Sequence, residues 1–422
     1  MNALRLPDKP NGEPVLQRPD IAHLRQALRG ELVAPGDPAY DRARKVWNGM
    51  IDRRPAAVIY CAGADDVAAA VTFARSRDLL VAVRAGGHNI AGSSVCDSGV
   101  VIDVSRMKSI EVDAARRVAR AQAGVNLGEF DAATQAFGLA TTMGVNSDTG
   151  IAGLTLGGGF GKLGRKHGLS CDNLLAADIV TADGRLLKAS ASENADLFWA
   201  IRGGGGNFGI VTTFEYRLFP VGPLLLTASV QHSYDDAREA MRFYHAFASA
   251  APDELSLDAA LLTAPNGERL FSISACYAGS LEEGERAVRP LREYGSPVAE
   301  RFGPLSYLQI QSAGDSIFPR GRRYYWKAQF LRELGDAAID TLLAAYATAV
   351  RVASRPAAGR RRDRAGADGG NTLRQQGCAL RLLPRRHLGR SCRRRSAYPM
   401  GARLVGRNAA VLDRGRLRQQ SR

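Results

Sequence analysis

The sequence predicts an α+β protein of two domains followed by an arginine-rich tail. Three observations carry that expectation. Three glycine clusters, each beside an apolar strand, occupy the first half of the chain. After Pro220-Val221-Gly222-Pro223 the pattern changes to strands and helices that suit a second α+β domain on an antiparallel sheet. From Arg355 onward stand 19 Arg and 3 Asp with no Lys or Glu, a balance of +16 against +15 for the whole chain, so Met1 to Ser354 is close to neutral.

The length of 422 residues leaves room for two to three domains and a sizeable core. Hydrophobic content of 45% and charged content of 23% are ordinary for a globular protein. No run of eighteen apolar residues announces a membrane span, and Met1 to Pro19 has no apolar core of a secretory signal. Cys61, Cys96, Cys171, Cys276, Cys378 and Cys392 form no C-x-x-C pair, which suggests reduced thiols, a cytoplasmic location and no metal site.

In order along the chain, residues 20–50 read as helical, ending in Val46-Trp47-Asn48-Gly49-Met50. Ala57 to Cys61 reads as a strand, and Ala64-Asp65-Asp66 opens a helix to Arg77. Leu79 to Val83 reads as a buried strand, and Val100 to Val104 and Val118 to Ala123 as further strands. Leu127 to Phe137 is an amphipathic helix. Leu175 to Thr181 and Arg185 to Lys188 form a hairpin around Asp183-Gly184. Leu197 to Ile201 is a helical turn, and Ile210 to Leu218 a strand. Beyond Pro223, Leu224 to Gln231 and Phe271 to Tyr277 read as strands, and Tyr234 to Ala250 and Leu281 to Tyr294 as helices.

The first glycine cluster is Arg84-Ala85-Gly86-Gly87-His88-Asn89-Ile90-Ala91-Gly92. Paired glycines admit positive φ and a close ligand, and successive N–H groups in such a turn make a concavity for an anion such as a pyrophosphate. It is not a G-x-G-x-x-G, and no helix opens directly after it, so a dinucleotide would not be held in the Rossmann manner. Taken alone, such a turn is more often a tight corner with a histidine facing solvent. The second cluster, Ser147 to Gly161, carries too much glycine for a helix or an ordinary strand, while Ile151, Leu154, Leu156 and Phe160 demand burial that a flexible linker would not supply. The third is Arg202-Gly203-Gly204-Gly205-Gly206-Asn207-Phe208-Gly209. Together they point to one extended ligand with a polyanionic middle.

These pieces, with Val46 to Met50, Arg165 to Leu169, Leu197 to Val211 and Arg323 to Leu331, resemble the berberine-bridge-enzyme-like branch of the vanillyl-alcohol-oxidase and p-cresol-methylhydroxylase flavoproteins. The resemblance covers roughly Tyr40 to Leu331. It implies an FAD-binding domain of the p-cresol-methylhydroxylase type over 40–220, after an N-terminal arm over 1–39. A substrate domain over 221–354 and the tail over 355–422 follow. It implies that His88 is bonded to the 8α carbon of FAD as the single covalent link. The cysteine that supplies a second bond in some members would fall at or near Asn146, and Cys171 does not match it. By the same resemblance Arg84, Ala85, Gly86, Gly87, Asn89, Ile90 and Gly92 hold the pyrophosphate. Asp148, Thr149, Gly150, Gly153, Thr155, Gly157 and Gly158 lie along the ribityl and isoalloxazine portion. Gly206 and Ile210 approach the adenine side, and Tyr325, Trp326 and Lys327 are candidates for the substrate side.

The activity so implied is oxidation of an alcohol or C–H substrate by hydride transfer to covalent FAD, with dioxygen as acceptor. A small-molecule substrate and dioxygen are the expected partners, with no nucleic acid and no membrane. Two alternatives differ in class. An inactive flavin-binding homologue would be yellow without turnover. A nucleic-acid-binding protein using the basic tail would show salt-sensitive DNA binding, although a tail without Phe, Trp or Ile offers almost no stacking platform. The tail is expected to be disordered and to be an out-of-frame reading of the family's C-terminal segment. Codons for Met400 to Gln420 can be chosen so that a one-nucleotide shift yields a helix and a strand with the family's Tyr-x-Asn.

Overall fold

A computed structural model of the chain describes residues 16–264, 266–328, 331, 333–353, 379–382 and 402–405. Contacts divide the chain into two units. One runs to Leu224 and takes in Leu305–Tyr324, and the other holds Leu225–Pro304 and the described chain from Tyr325 on.

The first unit opens with α1 (Arg18–Ala27), β1 (Glu31–Val33), α2 (Tyr40–Ala43), β2 (Ala57–Tyr60), α3 (Ala64–Ser76), β3 (Val81–Arg84) and β4 (Val100–Asp103). Their sheet has the order β1-β2-β4-β3, with β2 and β3 both parallel to β4. Every residue of β4 is buried, as its unbroken Val-Val-Ile run requires of a central parallel strand. The aspartates that open α3 have separate uses. Asp66 is buried and accepts hydrogen bonds from the N–H groups of Arg29, Gly30 and Ala62 at 2.9, 3.0 and 2.8 Å, which joins α3 to the chain between α1 and β1.

Three expectations are corrected here. Residues 20–50 are not one helical region but two helices with a strand between them, because Glu31–Val33 pairs antiparallel with β2. Residues 16–39 are no free-standing arm, since Leu24, Leu32 and Val33 are buried in the first unit's core. The strand before the glycine turn is not fully buried. β3 is the sheet's edge, with Val81 and Val83 at 37% and 38% exposure.

The second sheet follows: β5 (Ile110–Asp113), β6 (Val118–Gln122), α4 (Leu127–Gln135), β7 (Leu139–Ala140), α5 (Ile151–Leu156), α6 (Gly164–His167), β8 (Leu174–Val180), β9 (Leu186–Ser190), α7 (Ala195–Ile201), β10 (Ile210–Arg217) and β11 (Phe219–Pro220). Its order is β5-β6-β10-β8-β9, antiparallel throughout, and the Asp183-Gly184 hairpin joins β8 to β9. One core, including Ile59, Ile102, Phe130, Phe214 and Tyr216, serves both sheets. The glycine-rich second cluster does form a helix, against expectation. In α5 the buried residues Ile151, Ala152, Thr155 and Leu156 share one face, and Gly153 lies on the exposed side.

The second unit contains β12 (Leu224–Ser233), α8 (Ala237–Ala250), β13 (Leu255–Thr263), β14 (Arg269–Tyr277), α9 (Leu281–Glu293) and β15 (Ala299–Ser306). After α10 (Tyr307–Ser312), which belongs to the first unit, come α11 (Asp336–Ala353), β16 (Ala379–Leu382) and β17 (Ala402–Val405). The six-stranded sheet has the order β15-β12-β14-β13-β16-β17. Its core includes Leu257, Phe271 and Ile273, with Met241 of α8, Leu291 of α9 and Ile339 of α11. The α+β class holds. The single substrate domain over 221–354 does not, because residues 305–324 return to the first unit. Within the tail expected to be disordered, β16 and β17 extend this sheet. The rest of the tail, on which the out-of-frame reading bears, lies outside the described residues.

Candidate cofactor site

β3 and β4 end together, with Arg84 in register with Asp103. At these carboxyl ends the Arg84 guanidinium is ion-paired to Asp103, with side chains 6% and 2% exposed. The pair holds the start of the turn Ala85 to Gly92 against the sheet, where open parallel sheets commonly receive ligands. Among the described residues, none accepts a hydrogen bond from the main-chain N–H groups of Gly86 through Ala91. Gly87 is nevertheless buried. A buried N–H group is rarely left without an acceptor, so Gly87, in a turn whose neighbouring N–H groups are also unbonded to the described residues, fits an anionic ligand such as a diphosphate.

The second glycine cluster meets this turn, and the third meets the second. Gly86 and Gly150 are back to back: a Cβ at Gly86 would lie 2.3 Å from Gly150 N. Gly205 N donates to Leu156 O at 2.9 Å, tying the third cluster to the end of α5. A side chain at Gly153 or Gly206 would meet nothing within 4 Å. The convergence and the open glycine faces fit one long cofactor lying against bare backbone. Two candidates face elsewhere. Thr155 is buried with its hydroxyl 2.7 Å from Tyr216 Oη, and Ile210 is packed in the core. Asn146, at the place of a second link in some family members, accepts from Asp148 N at 3.3 Å through Oδ1. Cys171 is buried.

His88 stands where the first cluster meets the second, its side chain 15% exposed. Its Nε2 lies 2.8 Å from Asp148 Oδ1, off the line a straight hydrogen bond needs, and Thr149 Oγ1 is 3.4 Å from Nδ1. The imidazole stacks on Trp47 with centroids 4.9 Å apart, and Trp47 stacks on Tyr324 at 3.9 Å. Burial alone would raise the Asp148 carboxyl, but His88 and Arg320 together outweigh it and hold the group below the usual carboxylate range.

Four residues of this site were not picked out as site residues from the sequence: Trp47, Asn48, Arg320 and Tyr324. Arg320 donates to Asp148 Oδ2 at 2.8 Å and to Gly86 O at 2.7 Å. The Asn48 amide donates to Ile90 O at 3.0 Å and Tyr324 O at 2.9 Å, and its Oδ1 accepts from Tyr324 N at 3.0 Å. Tyr324 Oη donates to Pro319 O at 2.6 Å. The stretches Val46 to Met50 and Arg323 to Leu331 stand out in the sequence, but only the fold shows that Trp47 and Asn48 meet Tyr324. Of the substrate-side candidates, Tyr325 is 43% exposed with Lys327 Nζ 5.8 Å from its ring centroid, and all three, Tyr325, Trp326 and Lys327, fall in the second unit.

The profile of a family described as an FAD binding domain matches residues 55–190. An FAD-linked oxidoreductase of Dictyostelium discoideum is 34% identical over 325 residues, which are 76% of this chain and 70% of the relative. The chain belongs to the FAD-linked oxidoreductases. Its kinship with the flavoproteins that the sequence resembles is thereby borne out. The (R)-6-hydroxynicotine oxidase of Paenarthrobacter nicotinovorans is 32% identical over 71% of this chain and 66% of its own length. In three dimensions the chain is similar to 6-hydroxy-D-nicotine oxidase from Arthrobacter nicotinovorans, with a TM-score of 0.76 and 28% identity over 91% of this chain and 82% of that one. A carbohydrate oxidase from Microdochium nivale shares the fold at a TM-score of 0.73 and 23% identity, over 92% of this chain and 81% of that one. The oxidoreductase has no helix among the described residues that is long and apolar enough to cross a membrane.

Proposed function

We propose that the chain is an oxidase-type flavoprotein that takes hydride from an alcohol or C–H substrate, with FAD attached covalently through His88 alone. The observation that carries this reading is the position of His88 where the first glycine cluster meets the second, beside a run of main-chain N–H groups that find no acceptor among the described residues. Bound FAD would supply an acceptor for the two electrons of a substrate C–H bond and pass them to dioxygen, giving hydrogen peroxide. The turn Gly86 to Ile90 would hold the pyrophosphate through its N–H groups. The bare face from Asp148 to Gly158 would lie along the ribityl and isoalloxazine portion, and Gly206 would flank the adenine. Trp47 fixes the plane of the His88 ring, and Asn48 holds Ile90 and Tyr324 on either side of it. Tyr325, Trp326 and Lys327 remain the proposed substrate-side residues, with dioxygen and a small molecule as partners and the cytoplasm as location.

Absorption spectra of purified protein before and after acid precipitation test the reading. Flavin bands retained in the denatured wild type are expected. His88→Ala should lose the covalent flavin on a denaturing gel under ultraviolet light while still binding FAD reversibly through the glycine backbone. Fluorescence persisting on the mutant band would assign the link to another residue.

The tail bears on activity. We infer that residues 355–422 are encoded out of frame, which would leave the pocket without the strand that carries the family's Tyr-x-Asn and make the chain weakly active. The composition of 19 Arg with no Lys, Glu, Phe, Trp or Ile supports this. Sequencing the gene decides it: the codons of Met400 to Gln420, shifted by one nucleotide, are expected to spell that strand, and codons that do not would end the idea.

A further inference from the structure

The contacts of His88 go further than its position. The Asp148 carboxylate is shared: one oxygen lies 2.8 Å from His88 Nε2, and the other accepts from Arg320 Nε at 2.8 Å. Arg320 in turn donates to the Gly86 carbonyl at 2.7 Å, within the turn that carries His88. Arg320 and Asp148 are 48% and 38% exposed, and an ion pair this open contributes little to stability. Its geometry is instead directed at one imidazole edge. On one face the ring is covered by Trp47, so the carboxylate and the indole between them leave it no free rotation. A carboxylate beside Nε2 favours the tautomer with the proton on that nitrogen, although the contact is not a straight hydrogen bond. The lone pair is then on Nδ1, whose neighbour is the Thr149 hydroxyl at 3.4 Å.

The geometry points to Asp148, pinned by Arg320, as the positioning residue that sets the His88 tautomer and receives its proton when His88 is joined to the flavin. This rests on the covalent reading above. In the step, His88 Nδ1 takes the place of one hydrogen on the C8 methyl carbon. Asp148 receives the Nε2 proton and the methyl proton goes to solvent. The two electrons released pass by way of the flavin ring to dioxygen, which with two protons becomes hydrogen peroxide. Arg320 keeps Asp148 ionised, and therefore able to accept, until that moment.

The test uses full-length protein produced without flavin and then given FAD. Covalent incorporation is followed by fluorescence of the denatured chain, and reversible FAD binding is measured separately. Asp148→Ala is expected to slow incorporation at saturating FAD by roughly a hundredfold, the lower range for a lost general base. Added acetate should restore part of the rate, which a merely structural role would not allow. Nitrogen-15 spectra of the His88 ring in the flavin-free protein should show the Nε2–H tautomer in the wild type and a mixture in Asp148→Ala. Arg320→Gln should show a smaller change in the same direction, and it carries the same measurements if Asp148→Ala does not fold. Incorporation at the wild-type rate in Asp148→Ala, or an unchanged tautomer, overturns the role of Asp148 while leaving the covalent link intact. A wild-type chain that never holds flavin after denaturation overturns the covalent reading and the proton transfer with it.

Discussion

Gly86→Val is expected to give a chain that folds poorly around its cofactor site and retains little FAD. A Cβ at Gly86 would stand 2.3 Å from Gly150 N and 2.9 Å from Gly150 Cα, so two backbones must move apart. No side-chain rotation relieves that, because the obstacle is main chain on both sides. Overpacking costs about 1–3 kcal/mol, or roughly five- to 150-fold in cofactor affinity if the strain falls on the binding surface. Gly157→Val is the informative control. Its φ is −88°, and a Cβ there would meet Gly153 O at 3.3 Å and Leu154 O at 3.7 Å. The sequence alone would treat Gly157 and Gly158 alike. Yet Gly158 has φ +105°, where a β-branched residue is strained, and Gly157 does not. Flavin content per chain, measured by absorbance on equal amounts of protein, should fall in the order wild type, Gly157→Val, Gly86→Val. Equal content in the two variants would show that the contact between the first and second clusters has no bearing on the cofactor.

Asp103→Ala should be the most destabilising single change at the site's foundation. It leaves the Arg84 guanidinium, 6% exposed, without its carboxylate at the ends of β3 and β4. Removing one partner of a buried pair costs about 3–5 kcal/mol, chiefly because the remaining charge has no compensation. The thermal transition of the first unit should therefore drop on the order of ten degrees. Replacing both, as Arg84→Met with Asp103→Leu, should recover much of that loss, since two apolar groups leave no buried charge behind. Scanning calorimetry on the three proteins checks it. A double variant no more stable than Asp103→Ala would mean that the pair is needed for the packing of the turn itself.

Much of the first unit was legible from local pattern. The Val-Val-Ile run of β4, the aspartates at the start of α3 and the Asp183-Gly184 hairpin each form where their residues indicated. Misreadings arose where a partner decides the outcome. Glu31–Val33 is a strand because β2 lies beside it. Val81 and Val83 look like core residues, but β3 has a neighbour on only one side. In α5 the glycine count argued against a helix, yet burial of Ile151, Ala152, Thr155 and Leu156 on one face outweighs the cost of Gly153 in a helix of this length.

Three glycine stretches and a histidine were determined by the sequence itself, because a backbone that must turn at positive φ or be approached closely states that need in its own residues. Their meeting was decided by the tertiary structure alone. Asn48 reaches Tyr324 across 276 positions and Arg320 reaches Asp148 across 172. Hydrogen-bonding side chains carry no mark of such distant partners. The stacking of Trp47 on Tyr324, and the hold of Arg320 on Asp148 beside Nε2, exist only once residues 305–324 have come back to the first unit.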